Sequence, residues 1–77
     1  MATVRLFAAA AEAAGCEQTS VDAVTVGDVK RRLVDAHGEE LARVLRQCAV
    51  VVEGRRASDD DPVGDAVVDV LPPFAGG

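Results

Sequence analysis

The chain has 77 residues and a formal net charge of −5, from thirteen acidic and eight basic side chains. This length predicts one small domain, and the acidic balance argues against nucleic acid or an anionic membrane as a partner. Fourteen Val, fourteen Ala, two Phe and no Tyr or Trp predict a core of small aliphatic side chains. No apolar run approaches the ~20 residues that span a bilayer. Glu12 interrupts the Ala-rich N-terminal stretch, so we expect a mature cytoplasmic chain.

The first part of the sequence predicts a strand, a short helix and a second strand. In the segment TVRLF, Val4 and Leu6 alternate with polar residues, which is the period of a half-buried strand. The segment AAAAEAAG that follows favours a short helix ending at Gly15. The segment QTSV then predicts the second strand, which completes this unit at Val21.

Two helices are predicted next, separated by Gly38. The first begins at Thr25, whose hydroxyl group can cap free backbone amides, and Asp28 complements the positive end of the helix. Its apolar face is expected to consist of Val26, Val29, Leu33 and His37. The second helix is predicted over the segment EELARVL. The residues expected on its inner face are Leu41, Val44, Leu45 and Cys48.

The remaining sequence predicts three strands. The apolar run AVVV is typical of a central strand that is buried on both faces. A tight turn at Glu53 and Gly54 then leads to a short edge strand. The charges of Arg55 and Arg56 favour protection of that edge against sheet-to-sheet association, and they also suit the carboxylates of a partner. After an acidic surface loop, AVVDVL predicts the last strand, with Asp69 opposite its apolar side.

This order of elements predicts an α+β fold. We expect a β-grasp (ubiquitin-like) architecture, with a mixed sheet of about five strands and the helices packed on one face. The two terminal strands are expected to be parallel neighbours in the centre of the sheet. Residues 1–71 form the β-grasp domain in this prediction, and residues 72–77 form a flexible, projecting C-terminal tail.

The predicted domain body offers no catalytic or metal-binding constellation. His37 is the single histidine and lies beside Gly38, where a positive charge near a helix C-terminus has a structural role. Cys16 and Cys48 lack the spacing of a metal site, and an acidic neighbour of Cys16 disfavours a reactive thiolate. The acidic loop lacks the spaced ligands of a calcium site. We therefore expect no metal, no catalytic residue in this chain and two reduced thiols, with Cys48 buried.

The most distinctive segment is the ending PPFAGG. Pro72 and Pro73 cannot continue a strand ladder, and they stiffen the exit of the chain from its last strand. Phe74 is expected to be exposed there, which is typical of an apolar side chain that a partner covers. The three residues after it have little or no side chain, so this thread suits a narrow channel. Gly77 ends in a carboxylate, which ATP can convert to an acyl adenylate for attack by sulfur or an amine.

Four motifs carry a resemblance to a known family. They are VRLFA and EAAG near the start, TVGDVKRRL at the main helix and VLPPFAGG at the end. On these motifs the sequence resembles the MoaD/ThiS group of ubiquitin-like sulfur carriers, and within it the small subunit of molybdopterin synthase. Carriers of the thiamine pathway usually lack the Pro-Pro pair. The sequence departs from the family pattern at two places. Ala11 stands where the family often has Arg. The Gly-Asp pair of VGDAVV is displaced by one residue from the position at which the family usually has it.

The resemblance implies a sulfur carrier protein that binds no cofactor itself. An E1-like adenylating enzyme would activate the carboxylate of Gly77 with ATP, and a sulfur donor protein would convert it to a thiocarboxylate. The tail, residues 72–77, would then enter the large subunit of molybdopterin synthase. There it would donate sulfur to cyclic pyranopterin monophosphate, in molybdenum cofactor biosynthesis. Gly76 and Gly77 match the family's Gly-Gly, Ala75 belongs to the threaded segment, and Phe74 matches the family's apolar contact residue.

The implied assembly is a heterotetramer, in which two small subunits lie at the ends of a large-subunit dimer that holds the catalytic groups. Three other functions stay open. A related carrier would serve thiamine, cysteine or tRNA thiolation. A protein modifier would use the same activation but would be joined to lysines. A plain interaction domain would function without Gly76 and Gly77, whereas any carrier would not.

Overall fold

The computed structural model describes residues 1–73, and this part of the chain contains five strands and three helices. Their bounds are β1 Ala2–Leu6, α1 Ala9–Ala14, β2 Gln18–Val21, α2 Val26–His37, α3 Glu39–Leu45, β3 Ala49–Val52, β4 Arg55–Arg56 and β5 Val67–Leu71. The predicted order of elements is confirmed. The first strand begins and ends one residue earlier than predicted, and the last strand begins one residue later.

The five strands form one mixed sheet in the order β2-β1-β5-β3-β4. β1 and β5 are parallel neighbours at its centre, with Val4 opposite Val68. β2 is antiparallel to β1, and β3 is antiparallel to β5, with Val50 opposite Val70. This pairing of the first and last strands, with the helices between them in sequence, is the β-grasp architecture that the sequence predicts.

β3 is not the central strand, which corrects the prediction from its continuous apolar run. It lies second from the edge, between β5 and the two-residue β4. Only Val50 of this strand is buried. Val51 lies opposite Asp69 and is half-buried. β-branched residues suit any strand that is paired on both sides, so this composition does not reveal whether both faces are covered.

A single core lies between the helices and one face of the sheet. Alternate residues of β1 and β5 contribute to it, as the period of a strand requires. The largest fully buried side chains are Leu33, Leu41, Val4, Val26, Val29, Val68 and Val70. Every buried polar side-chain atom in residues 1–73 has a hydrogen-bond partner. The small aliphatic core predicted from composition is therefore confirmed.

α2 begins as predicted, with reciprocal capping between Thr25 and Asp28. Thr25 Oγ1 accepts a hydrogen bond from the backbone N–H of Asp28 at 3.2 Å, and Asp28 Oδ2 accepts one from the N–H of Thr25 at 3.3 Å. These bonds satisfy amides that the helix itself leaves free. The N–H of Thr25 is also the main reason why the pKa of Asp28 lies below its ordinary value.

The acidic loop after β4 does more than face solvent, which is the role that its composition predicts. The carbonyl oxygens of Asp61 and Asp59 accept hydrogen bonds from the backbone N–H groups of Val26 and Gly27, both at 2.9 Å. Lys30 Nζ also lies 2.7 Å from Asp59 Oδ1. The loop therefore holds the first turn of α2 in place. No local pattern predicts these bonds, because their partners are about thirty residues apart in sequence.

Both cysteines are free and half-buried. α3 ends at Leu45, so Cys48 lies beyond the helix and not on its inner face. The prediction that Cys48 is buried is therefore wrong, although partial burial raises the pKa of its thiol. His37 is the last residue of α2, beside Gly38, and is half-buried.

Candidate functional site: the root of the tail

The tail leaves the domain from the central strand of the sheet. β5 ends at Leu71, which lies opposite Ala49 in β3. On the other side of β5, the backbone N–H of Phe7 donates to the carbonyl oxygen of Val70 at 3.2 Å. Pro72 follows, and sheet pairing stops because proline has no N–H to donate. The root of the tail is thus fixed from both sides, by β1 and by β3.

The structure places two of the six residues that the sequence predicts for the tail site. Pro72 is half-buried and Pro73 is exposed. The other four lie outside the described residues, namely Phe74, Ala75, Gly76 and Gly77. Their threading role, and the thiocarboxylate at Gly77, stay predictions.

An apolar groove of about 220 Å³ opens beside the root of the tail. Its walls come from the start of α1, the turn after α3 and the two prolines after β5. Its lining residues include Phe7, Ala9, Val44, Cys48, Pro72 and Pro73. The sequence does not predict this groove, because its walls are distant from one another along the chain. Its one local signal is Phe7, a large apolar residue that is 40% exposed.

The helix beside the groove begins at a strained residue. Ala8 has φ 55° and ψ −126°, a conformation that favours glycine, and no side chain caps the start of α1. The N–H of Ala10 donates instead to the carbonyl oxygen of Phe7, at 3.2 Å. Such strain costs about 1–3 kcal/mol and clusters at functional positions. The sequence gives no sign of it, because alanine is the best helix former.

A second surface near the root of the tail is the face of the sheet that lies opposite the helices. We call it the open face. Val68 and Val70 of β5 point into the core, so the residues that alternate with them point to the open face. Its half-buried apolar residues are Ala49, Val51, Val67 and Leu71. Between them, Arg5 Nε lies 2.6 Å from Asp69 Oδ1, and Arg5 Nη2 lies 2.8 Å from Asp69 Oδ2. The hydrogen bond to Asp69 raises the pKa of Arg5.

Within residues 1–73, no group of three or more His, Cys, Asp or Glu side chains is placed to hold a metal ion. None of the helices in this part of the chain is long and apolar enough to cross a membrane. The features that stand out chemically are therefore the fixed root of the tail, the groove beside it and the open face.

Both the sequence and the structure are similar to known proteins. The profile described as the ThiS family matches residues 4–77. The crystal structure of SAMP1 from Haloferax volcanii is similar, with 31% identity and a TM-score of 0.74 over 97% of each chain. The solution structure of the Haloferax volcanii HVO 2177 protein has 31% identity and a TM-score of 0.67, over 97% of this chain and 84% of that one.

A third structure, a candidate molybdopterin converting factor, subunit 1, from Pyrococcus furiosus, shares the fold. Its TM-score is 0.78 at 21% identity, over 95% of this chain and 97% of that one. Among curated proteins, none matches the sequence significantly. The family profile covers β1 from Val4 onward, all of β5, the groove residues and the whole tail. The chain therefore belongs to the ThiS family, in the MoaD/ThiS group of ubiquitin-like sulfur carriers and modifiers.

Proposed function

We propose that this protein is the small, sulfur-donating subunit of a molybdopterin synthase. Membership of the family gives the coarser function, a ubiquitin-like sulfur carrier or modifier. The observation that carries the finer proposal is the ending VLPPFAGG, which begins in the central strand and leaves the sheet at Leu71. The Pro-Pro exit favours the molybdopterin pathway over the thiamine pathway.

The reactive group is the C-terminal carboxylate of Gly77. An E1-like enzyme joins a carboxylate oxygen to the α-phosphate of ATP, and pyrophosphate leaves. The outer sulfur of a persulfide on a sulfur donor protein then attacks the carbonyl carbon of the acyl adenylate, and AMP leaves. A thiol cleaves the resulting acyl disulfide, which releases the thiocarboxylate and leaves a disulfide on the donor side. Because glycine has no side chain, neither attack is hindered next to the reacting carbon.

Delivery of the sulfur takes place in the large subunit. The tail enters that subunit, and the thiocarboxylate sulfur attacks cyclic pyranopterin monophosphate, displaces an oxygen leaving group and forms a thioester between carrier and pterin. Water then hydrolyses the acyl C–S bond, which leaves the sulfur on the pterin and restores the carboxylate of Gly77. Two carriers act in succession, because a dithiolene contains two sulfur atoms. Residues 72–77 reach at most about 20 Å from the sheet when fully extended. A root that is fixed between β1 and β3 therefore sets how deep the tail can go.

Two surfaces beside the root support docking on such a partner. The open face combines half-buried apolar side chains with the Arg5–Asp69 pair, a mixture that is typical of protein interfaces. The groove exposes Phe7, and aromatic residues are enriched at interfaces. A net charge of −5 favours a positively charged partner and fast association with it.

Reconstitution with purified components tests the proposal. The protein is prepared with a C-terminal thiocarboxylate and mixed with a molybdopterin synthase large subunit and cyclic pyranopterin monophosphate. We expect dithiolene product in proportion to the thiocarboxylate supplied. A carboxylate-only sample and a variant lacking Gly77 are expected to give none, whereas Val24→Ala, at an exposed site far from the tail, is expected to act as wild type. No product, with a large subunit that is active toward its own carrier, would exclude this pathway.

A second function, protein modification, is favoured by the similarity to SAMP1, since the protein with that abbreviation is also described as small archaeal modifier protein 1. Activation at Gly77 is the same, but the ε-amine of a lysine attacks in place of sulfur and forms an isopeptide. A tagged chain expressed in its native cells distinguishes the two functions. Conjugates that depend on Gly77 and contain an isopeptide between the Gly77 carbonyl and a lysine ε-amine would support modification, and their absence beside thiocarboxylated free protein would support the carrier alone.

A further inference from the structure

The two edges of the sheet are built differently. β4, at one edge, has only two residues and both are Arg, which protects that edge against pairing with another strand. β2, at the other edge, has four residues, Gln18–Val21, and contains no charged residue and no proline. Gln18 and Ser20 are exposed. The short length and the charges that protect the edge at β4 are therefore absent from β2.

The hydrogen bonds between β1 and β2 show which backbone groups of β2 face outward. The N–H of Leu6 donates to the carbonyl oxygen of Glu17 at 2.9 Å. Because backbone groups alternate in direction along an extended strand, Thr19 also faces β1, as its register opposite that strand requires. The N–H and C=O groups of Gln18 and Ser20 therefore point away from the sheet. β2 thus presents two donors and two acceptors along its free edge.

A carboxylate stands at each end of this free edge. Glu17 directly precedes β2 and Asp22 directly follows it, and both residues are exposed. Neither takes part in any ion pair among residues 1–73. The edge therefore combines an uncharged strand, ~13 Å long at the usual rise per residue, with one negative charge at each end. Charge complementarity favours a strand with a basic residue at both of its ends.

We infer that the free edge of β2 is a docking site for an extended segment of a partner protein, uncharged in its middle and basic at both ends. The segment adds a sixth strand to the sheet, antiparallel to β2. Its backbone pairs with Gln18 and Ser20, and its two basic side chains lie beside Glu17 and Asp22. The inference goes beyond the proposed function, because it concerns an edge of the sheet and not the tail.

A second copy of this chain fits the backbone of β2 but not its charges. When two β2 strands pair antiparallel, all the outward groups are paired only if Gln18 lies opposite Ser20 of the second copy. That register places Glu17 of each copy next to Asp22 of the other, and like charges at neighbouring positions destabilise a strand pair. Two chains of net charge −5 also repel each other. The charges therefore favour a basic partner over self-association.

The loop after β2 continues the same surface. A cleft of about 340 Å³ lies between residues 22–24 and α2. Its charged residues are three Asp and two Arg, so its net charge is negative, namely Asp22, Asp28, Asp35, Arg31 and Arg32. Val24 also lines it and is 71% exposed, which offers an apolar contact. A basic segment that continues past the end of β2 therefore meets an acidic surface.

NMR titration of the full-length protein with a synthetic peptide tests the inference. The probe alternates Thr and Val and carries a Lys at each end. We expect saturable shifts of the amide resonances of Gln18 and Ser20. Their exchange with deuterium is expected to slow about tenfold when nine-tenths of the protein is bound, because an amide exchanges only while its hydrogen bond is open. Thr19, whose N–H already faces β1, is expected to change less.

Charge exchange between peptide and protein provides the matched controls. A peptide with Glu in place of both Lys is expected to bind about tenfold more weakly, because two exposed ion pairs become like-charge contacts. In the double variant Glu17→Lys, Asp22→Lys, we expect the preference to reverse, so that the Glu peptide binds more tightly. A variant that had only lost its structure would not show this reversal.

Proline at the edge tests the role of the backbone. Ser20→Pro removes one outward N–H but none of the bonds between β1 and β2, and edge strands tolerate such a proline. We expect it to weaken binding of the Lys peptide about tenfold or more, whereas Ser20→Ala keeps the N–H and is expected to bind as wild type. If Ser20→Pro does not fold, a Lys peptide methylated on alternate backbone nitrogens removes the same bonds from the other side and is expected to lose binding.

Three results would overturn the inference. The first is the absence of saturable shifts at Gln18 and Ser20, including shifts that are confined to the open face. The second is equal binding of the Lys and Glu peptides. The third is protection of the two amides that grows with protein concentration without peptide, because the occupant would then be a second copy. Deletion of Gly76 and Gly77 is expected to abolish sulfur loading but not peptide binding, so either proposal can fail while the other stands.

Discussion

The two ends of the central strand pair are built differently. At the base of the sheet, where β1 and β5 begin, Thr25 and Asp28 cap α2, and carbonyl groups of Asp59 and Asp61 bind its first amides. At the top, where β1 and β5 end, Ala8 is strained, α1 has no side-chain cap and an apolar groove is open. The base satisfies its polar groups internally, while the top presents surface beside the tail. The stabilising contacts of α2 and the candidate functional site therefore lie at opposite ends of one sheet.

The largest effect on stability is expected in the core between the two ends. Leu33 of α2 is fully buried. Leu33→Ala is expected to lower the free energy of unfolding by about 2–5 kcal/mol, because it removes buried surface and leaves a cavity. Urea titration, monitored by circular dichroism, measures the free energy of unfolding of the variant and of the wild type. Val24→Ala, at an exposed site, is expected to change it by less than about 0.5 kcal/mol. Equal effects of the two variants would contradict the described core.

A smaller effect on the free energy of unfolding is expected at the base of the sheet. Thr25→Ala removes the oxygen that accepts from the N–H of Asp28, and we expect a loss of about 1 kcal/mol of unfolding free energy. Thr25→Ser retains the hydroxyl group and is the matched control. If both variants unfold at the same urea concentration as the wild type, the base does not have the stabilising role that we assign to it. Sulfur loading at Gly77 is expected to be unaffected in both.

At the top of the sheet, a substitution is expected to increase the free energy of unfolding. Ala8→Gly relieves strain of about 1–3 kcal/mol, and it costs about 0.4–1 kcal/mol in the entropy of the unfolded chain. We therefore expect Ala8→Gly to stabilise the protein by roughly 1 kcal/mol in the same titration. Ala13→Gly, inside α1, provides the control and is expected to destabilise. A loss of stability in Ala8→Gly would show that the top is not strained.

The smallest expected effect is on the way in which the free energy of unfolding depends on pH. The folded state lowers the pKa of Asp28 below its unfolded value, mainly through the hydrogen bond from the N–H of Thr25. The resulting stabilisation is fully present above the unfolded pKa and is lost as the pH falls through the folded pKa. Asp28→Asn is therefore expected to flatten the acid side of the curve of unfolding free energy against pH. Asp60→Asn, in the exposed part of the acidic loop, is the control, and identical curves for the wild type and Asp28→Asn would contradict this account.

The sequence predicts the elements whose signals are local. α2 is predicted correctly because Thr25, Asp28 and Gly38 mark its ends, and its apolar spacing marks its inner face. The turn at Glu53 and Gly54 is also local: both residues have positive φ, as a tight hairpin turn requires. The parallel pairing of β1 and β5 was predictable because the order of strands and helices along the chain is that of a β-grasp fold.

The features that the sequence did not predict depend on contacts between distant segments. The apolar run of β3 indicates a strand but not its place in the sheet. The groove forms where the end of β1, the turn after α3 and Pro72 lie next to one another, and no single segment of the sequence predicts this arrangement. The strain at Ala8 exists only because the chain must turn there from β1 into α1. The candidate site was thus predictable as a tail, but not as a tail beside a groove.

Intact mass spectrometry tests the central claim most directly, namely that the carboxylate at the end of the tail is loaded with sulfur. The protein is incubated with ATP, a sulfur source and an E1-like activating enzyme of this family. We expect a mass gain equal to the replacement of one oxygen atom by one sulfur atom, which disappears when Gly77 is deleted and persists in Val24→Ala. An unchanged mass, with an enzyme shown to load its own carrier, would contradict it.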